Sequence, residues 1–293
     1  MSEEDTRALL LSLQTGDVLL YENIDLGSAF IRFALRSRVS HVGLVLRMPR
    51  ERCGGFYAHN ADYANDAPSS PECEDLHVLE AVPRRGVALF PLEARLARTV
   101  NVTQGLSVRR LRLRSGSRPP ALEAAKLYQF LEENISRRLE TAGRDCAPVA
   151  AYLHQLCCPT SSAPGALSRV LKEDHSAFFC TELVAEALMQ LGVLRRDPTV
   201  LAADFLPNAF MSNSCSPWGS QLKLTLDSAC NEAYAFGPEQ VLLTGGTSPL
   251  RQFLKSRKDE LRRHLKVRDN TPMAAAAGLK WHKKTHVHHE QQQ

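Results

Sequence analysis

The sequence predicts an α+β protein in which an antiparallel sheet packs against a helix that carries a cysteine in its first turn. Three observations predict it. HVGLVL (41–46) and LHVLEAV (76–82) are β-rich runs of strand length, separated by a long polar loop (47–74), and form candidates for an antiparallel pair. ALEAAKLYQFLEENISRRLE (121–140) has strong helix propensity and an apolar stripe at Leu122, Ala125, Leu127, Phe130 and Leu131. The segment from Phe178 to Gly192 puts Cys180, Leu183, Val184, Ala187, Leu188 and Leu191 on one helical face, with Gly192 as the stop.

The remaining elements follow in chain order. Thr15-Gly16-Asp17 is a tight turn permitted by Gly16, and it feeds a short buried strand, Val18-Leu19-Leu20-Tyr21. GSAFIRFALRSR (27–38) repeats apolar residues at Phe30, Ile31, Phe33 and Ala34, the pattern of a short packed helix, and delivers the chain to Val39-Ser40-His41. GVALFPL (86–92) and LSVRRLRL (106–113) extend the β region, the latter alternating imperfectly, as an edge strand does. Pro119-Pro120 ends that region. Past the second helix, Asp197-Pro198 and Phe205-Leu206-Pro207 signal loops and short elements, QLKLTL (221–226) alternates as a strand, and QVLL (240–243) is a further strand candidate.

Composition narrows the class. A chain 44% hydrophobic and 23% charged is neither disordered throughout nor collagen-like nor coiled coil. No run of about 18 apolar residues occurs, and the N-terminus, MSEEDTRALLL, is acidic where a secretory signal is basic. An intracellular, cytoplasmic protein is expected. In that setting the eight cysteines (53, 73, 146, 157, 158, 180, 215 and 230) read as thiols rather than disulfides, and none forms a CxxC pair. His154 with Cys146, Cys157 and Cys158 makes a poor metal set, because adjacent cysteines cannot both reach one ion on an ordinary backbone.

Charge is distributed unevenly. Residues 1–250 carry 25 basic and 28 acidic side chains, whereas 251–293 carry 11 and 4, so the net +4 belongs to the tail. Phe253, Leu254, Leu261 and Leu265 recur among those charges as in a basic amphipathic helix (251–270), followed by an Ala-rich and then His/Lys-rich stretch (271–293) expected to be disordered. The plain account is a solvated helix with a frayed end; peripheral contact of 251–268 with an anionic membrane is the alternative. No specific nucleic acid, cofactor or metal is expected, and His286, His288 and His289 lack a folded frame for an ion. The body, 1–250, is expected to be one domain.

The chemistry concentrates on three residues. A thiol is an efficient nucleophile only as thiolate, and an ordinary cysteine, with a pKa of about 8.5, is mostly protonated at neutral pH. A helix N-terminus and a nearby histidine both lower that value. Cys180 has the first by position; Glu182 in the same turn works slightly against it, so a histidine is required. Because Cys180 lies on the apolar face, the base must come from the sheet. His41 opens the most β-like strand, and Glu80 sits inside another, where a charge needs a partner. Taken alone, His41 is most simply a core histidine bonded to a carbonyl. Taken together, Cys180, His41 and Glu80 supply a nucleophile, a base and an orienting carboxylate.

Gly16-Asp17-Val18-Leu19, Ser40-His41-Val42-Gly43-Leu44, Leu79-Glu80-Ala81 and Phe179-Cys180-Thr181-Glu182-Leu183-Val184, in that order, resemble the circularly permuted papain-like enzymes of the NlpC-like superfamily. The nearest likeness is to the amidases of the YaeF/YiiX type, with lecithin retinol acyltransferase more distant. The resemblance covers roughly residues 13–210 and implies that 1–250 is a catalytic domain of permuted papain-like fold, with histidine before cysteine in the chain, Cys180 as nucleophile, His41 as general base and Glu80 as the third member. It also implies an oxyanion hole formed in part by the Cys180 N–H; Asp204-Phe205-Leu206-Pro207 resembles a segment that follows the helix in this group, although its expected role is simply to brace a loop. The expected activity is a cysteine hydrolase or acyltransferase acting on a peptide, lipid or small-molecule amide or ester through an acyl-thioester. A non-catalytic lipid- or peptide-binding module on the same scaffold, docked by its basic tail, is the alternative. The 47–74 loop and the 141–178 region exceed what a minimal relative needs.

Overall fold

The computed structural model describes residues 3–34, 37–48, 76–82, 86–115, 124–138, 180–197, 200–212 and 224–243, with positions 252 and 255. The chain is α+β. A helix, α1 (Glu3–Leu11), precedes strand β1 (Val18–Asn23), helix α2 (Leu26–Ala34) and strand β2 (His41–Arg47). Strands β3 (Leu76–Val82) and β4 (Gly86–Pro91) lead directly into helix α3 (Leu92–Thr99), then strand β5 (Thr103–Leu113). Helices α4 (Ala124–Arg138) and α5 (Cys180–Gln190), two 3-10 turns (Ala202–Asp204 and Pro207–Phe210), the one-turn helix α6 (Leu226–Ala229) and strand β6 (Tyr234–Leu243) complete it. The six strands form one antiparallel sheet in the order β4-β3-β2-β1-β5-β6.

Both faces of this sheet are covered, which is why its central strands read as nearly continuous apolar runs. Val18, Leu20, Val42, Leu44, Leu79 and Leu89 face a core shared with α4, α5 and the 3-10 turns. The alternate residues, among them Leu19, Tyr21, Val45, Val78, Phe90 and Val108, face a second core with Leu10, Leu13, Leu92 and Leu96. The Thr15-Gly16-Asp17 turn sits where expected, with Gly16 at φ 96°. Asp17 explains the rest of that motif: its carboxylate is fully buried and accepts from the Gln14 and Leu111 N–H groups, tying the turn to β5. Gly192, at φ 70°, stops α5.

Several sequence expectations change. LSVRRLRL lies within β5, which is internal, between β1 and β6. Its Arg109 tolerates full burial because it donates to Asp227 and to the carbonyls of Phe210, Phe236 and Gly237. Leu92 does not extend β4 but starts α3. The strand expected at 221–226 is not continued at its described end, where Thr225 caps α6 through its side chain. Phe33, expected to pack, is 82% exposed. Helix α1 and the length of β6, which contains QVLL, go beyond the sequence expectations. Of the 251–270 helix, Gln252 and Lys255 are helical and exposed. The rest of the tail, the 49–75 and 139–179 segments, and the His154, Cys146, Cys157 and Cys158 set lie outside the described residues.

Candidate active site

The site forms where two neighbouring strands separate. The β2–β3 ladder runs from Arg47↔Leu76 to Leu44↔Leu79, while β3 continues through Val82 paired only with β4. Toward the His41 end, β2 therefore has N–H groups that β3 does not take. The Val42 N–H is one of these: with the N–H of Thr181 in the first turn of α5, it favours negative charge on the sulfur of Cys180. The apolar face of α5, with Leu183, Val184, Ala187 and Leu188 fully buried, anchors the helix to the sheet and fixes the thiol at this opening.

His41 and Glu80 meet the thiol there. The imidazole lies beside the Cys180 sulfur, close enough for each group to bias the other's charge. Its Nε2 lies 3.2 Å from Glu80 Oε2, close enough for an ion pair though not aligned as a linear hydrogen bond. His41 is 9% exposed and Glu80 fully buried. Gly43 makes the approach possible, since a Cβ there would stand 2.7 Å from Val78 Cγ2 and 3.1 Å from Glu80 Cγ. The three residues singled out in the sequence are thus brought together, and His41 is not a core histidine bonded to a carbonyl.

Two further residues complete the cluster and were missed in the sequence. Arg95, from α3, donates through Nε (2.9 Å) and Nη2 (2.7 Å) to the same Glu80 oxygen that faces His41, and its guanidinium lies 5.1 Å from the centre of the Phe90 ring. Tyr21, opposite His41 in the β1–β2 register, packs its ring 5.3 Å from the imidazole. The buried charge at Glu80 was the signal that a cation had to lie nearby; nothing in the sequence pointed to α3 as its source.

Electrostatics follow from this packing. Burial would raise the Glu80 carboxyl, but Arg95 and then His41 outweigh it and hold it down at about 2. Burial likewise disfavours the thiolate of Cys180, and the His41 charge and the Val42 and Thr181 N–H groups more than offset that, so the thiol is lowered. His41 is raised: burial opposes its charge, while the Cys180 thiolate and then Glu80 favour it. The lowered thiol and the raised imidazole are one interaction seen from its two ends. Tyr21 is raised well above its ordinary value, by burial first and then by Glu80. Cys230 shows what the same residue type does without such neighbours, since burial and Asp227 push it up to about 12.

Asp204 accepts the Leu201 N–H at the start of its own 3-10 turn, a local contact. Among the described residues no group of three or more His, Cys, Asp or Glu side chains is arranged to hold a metal ion, and no helix is long and apolar enough to cross a membrane. No protein-family model matches the chain, and no curated protein matches it significantly.

Proposed function

We propose that this protein is a cysteine hydrolase or acyltransferase of the permuted papain-like kind, acting on an amide or ester. The observation that carries the reading is the juxtaposition of Cys180, at the N-terminus of a helix docked on a strand opening, with His41, whose imidazole has the Glu80 carboxylate 3.2 Å behind it. A structural histidine does not need a thiol and a buried carboxylate on its two sides. Perturbed titratable groups of opposite sense, gathered in contact, are the arrangement that nucleophilic catalysis requires.

In this reading the Cys180 thiolate attacks the carbonyl carbon, and the π electrons move to the oxygen. Collapse of the tetrahedral species breaks the bond to the leaving nitrogen or oxygen, which takes the proton from His41. The product is an acyl-thioester on Cys180. Water or an amine then gives its proton to His41 and attacks the thioester, releasing the acyl group and returning the thiolate. Glu80 keeps the imidazole oriented and stabilises its charged form, as the third group of a triad does. The Cys180 N–H at the helix start would contribute to oxyanion stabilisation. The order of elements along the chain supports a papain-like assignment, since the histidine strand, the acidic strand and the cysteine helix occur in the permuted order. A basic tail at 251–268 is compatible with an acyl donor held at an anionic lipid surface.

The test is labelling of the full chain by an electrophilic thiol probe at pH 6 to 7, with the modified residue located by peptide mapping. Cys180 is expected to label well ahead of Cys230 and to lose the signal in Cys180→Ala, with strong reduction in His41→Ala. Equal labelling of Cys180 and Cys230, or unchanged total rapid labelling in Cys180→Ala, would overturn the proposal.

A further inference from the structure

We infer that Arg95 is a positioning residue of the site: by donating two N–H bonds to the Glu80 oxygen that faces His41, it keeps the negative charge on Glu80 and the mobile proton on the His41–Cys180 pair. The inference rests on the cysteine-nucleophile reading above and extends it to a four-member relay, Arg95–Glu80–His41–Cys180.

Both donors of Arg95 converge on Oε2, at 2.9 and 2.7 Å, and that oxygen is also the one 3.2 Å from His41 Nε2. A carboxylate with no solvent exposure needs a counter-charge at every stage of a reaction. His41 can supply one only while it is protonated. Each time it hands its proton to a leaving group, a Glu80 neutralised by His41 alone would become an isolated buried anion and would compete for the proton itself. Arginine never titrates in this range, so Arg95 keeps Glu80 ionised through the step. With all four groups charged the cluster is neutral; without Arg95 it carries a net negative charge in the interior.

Among the described residues the surroundings offer no substitute cation. Glu80 is opposite Ala88 on β4, a strand with no titratable residue, and beside Gly43 on β2. The titratable groups facing the relay are Tyr21 from β1, His41 from β2, Arg95 from α3 and Cys180 from α5, and Glu182 follows Cys180 in the first turn of α5. Tyr21 is neutral and Glu182 has the wrong sign. Helix α3 holds the cation in place: Leu92, Leu96 and Ala97 are buried against the sheet, which fixes the intervening Arg95 over Phe90 and Glu80.

The experiment measures the rate of Cys180 alkylation by iodoacetamide against pH in the full chain, with peptide mapping to isolate this thiol. Removing the cation leaves Glu80 either ionised, an uncompensated charge beside the thiolate, or protonated and unable to favour the imidazolium; each raises the pH needed for reactivity. Arg95→Gln is expected to move the midpoint up by about one pH unit, the scale of one added charge in a partly screened interior. Arg95→Lys is expected to restore most of it. Folded Arg95→Gln with a wild-type midpoint would overturn the inference. Should Arg95→Gln not fold, the Glu80→Gln/Arg95→Gln double variant is compared with Glu80→Gln alone: superimposable titrations are expected, and a further displacement of the midpoint would show Arg95 acting directly on the thiol and overturn the relay. A wild-type midpoint near the ordinary thiol value of about 8.5 would instead remove the underlying nucleophile reading.

Discussion

Glu80 gives the site a measurable signature in stability. Its carboxyl is held at about 2 against an ordinary value of 4.5. A depressed carboxylate stabilises the fold above its unfolded-state value, and that stabilisation is lost as pH falls through the folded-state value. A tenfold change in proton affinity between the folded and unfolded chain is worth about 1.36 kcal/mol, so Glu80 contributes about 3 kcal/mol near neutrality, most of it lost by about pH 2. Full burial means solvent screening takes little from this figure. His41, raised rather than lowered, works in the opposite sense on the alkaline side and leaves the acid window untouched. The assay is chemical unfolding followed by circular dichroism at pH steps from 6 to 2, for wild type and Glu80→Gln. Other carboxylates titrate in both proteins, so the difference isolates Glu80: wild type should lose about 3 kcal/mol more than the variant across that range. Parallel pH profiles, agreeing within about 1 kcal/mol, would refute the claim that Glu80 is an ionised, Arg95-bound carboxylate.

Two substitutions probe the frame. Gly43→Ala forces a Cβ to 2.7 Å from Val78 and 3.1 Å from Glu80, so it should cost about 1–3 kcal/mol in unfolding measurements and slow Cys180 alkylation by displacing the carboxylate from His41. Arg109→Met should also cost about 1–3 kcal/mol, since it removes the donor to the carbonyls of Phe210, Met211, Phe236 and Gly237 and the ion pair with half-exposed Asp227. In the folded fraction its Cys180 alkylation profile should match wild type, because Arg109 serves the contact between β5, β6 and the Pro207–Phe210 turn.

What could be read in the sequence was whatever burial had written into local pattern. Strands β2 and β3 stood out because both of their faces are covered, and α5 because its buried stripe and terminal Gly192 are both local. His41, Glu80 and Cys180 were legible as polar residues at apolar positions. Arg95 was not, because LEARLART reads as an ordinary charged helix and its first residue, Leu92, follows β4 with no loop to mark the change. The three arginines of LSVRRLRL suggested an exposed edge for the same reason: the acceptors that satisfy Arg109 lie on segments beyond residue 205. Phe33 misled in the other direction, since helical spacing shows which residues share a face but not whether anything covers that face.

The separation of β2 from β3 also bears on when the thiol becomes reactive. His41 and Glu80 emerge early in synthesis, whereas the sulfur that needs them belongs to residue 180. Until α5 docks, the Val42 N–H has no sulfur near it and Cys180 has no imidazole beside it. The nascent chain therefore carries eight ordinary thiols, and under the proposed function one acquires its reactivity only on completion of a long-range contact. Appearance of fast alkylation at Cys180 during refolding would then time the docking of this helix, making the thiol a reporter of its own assembly.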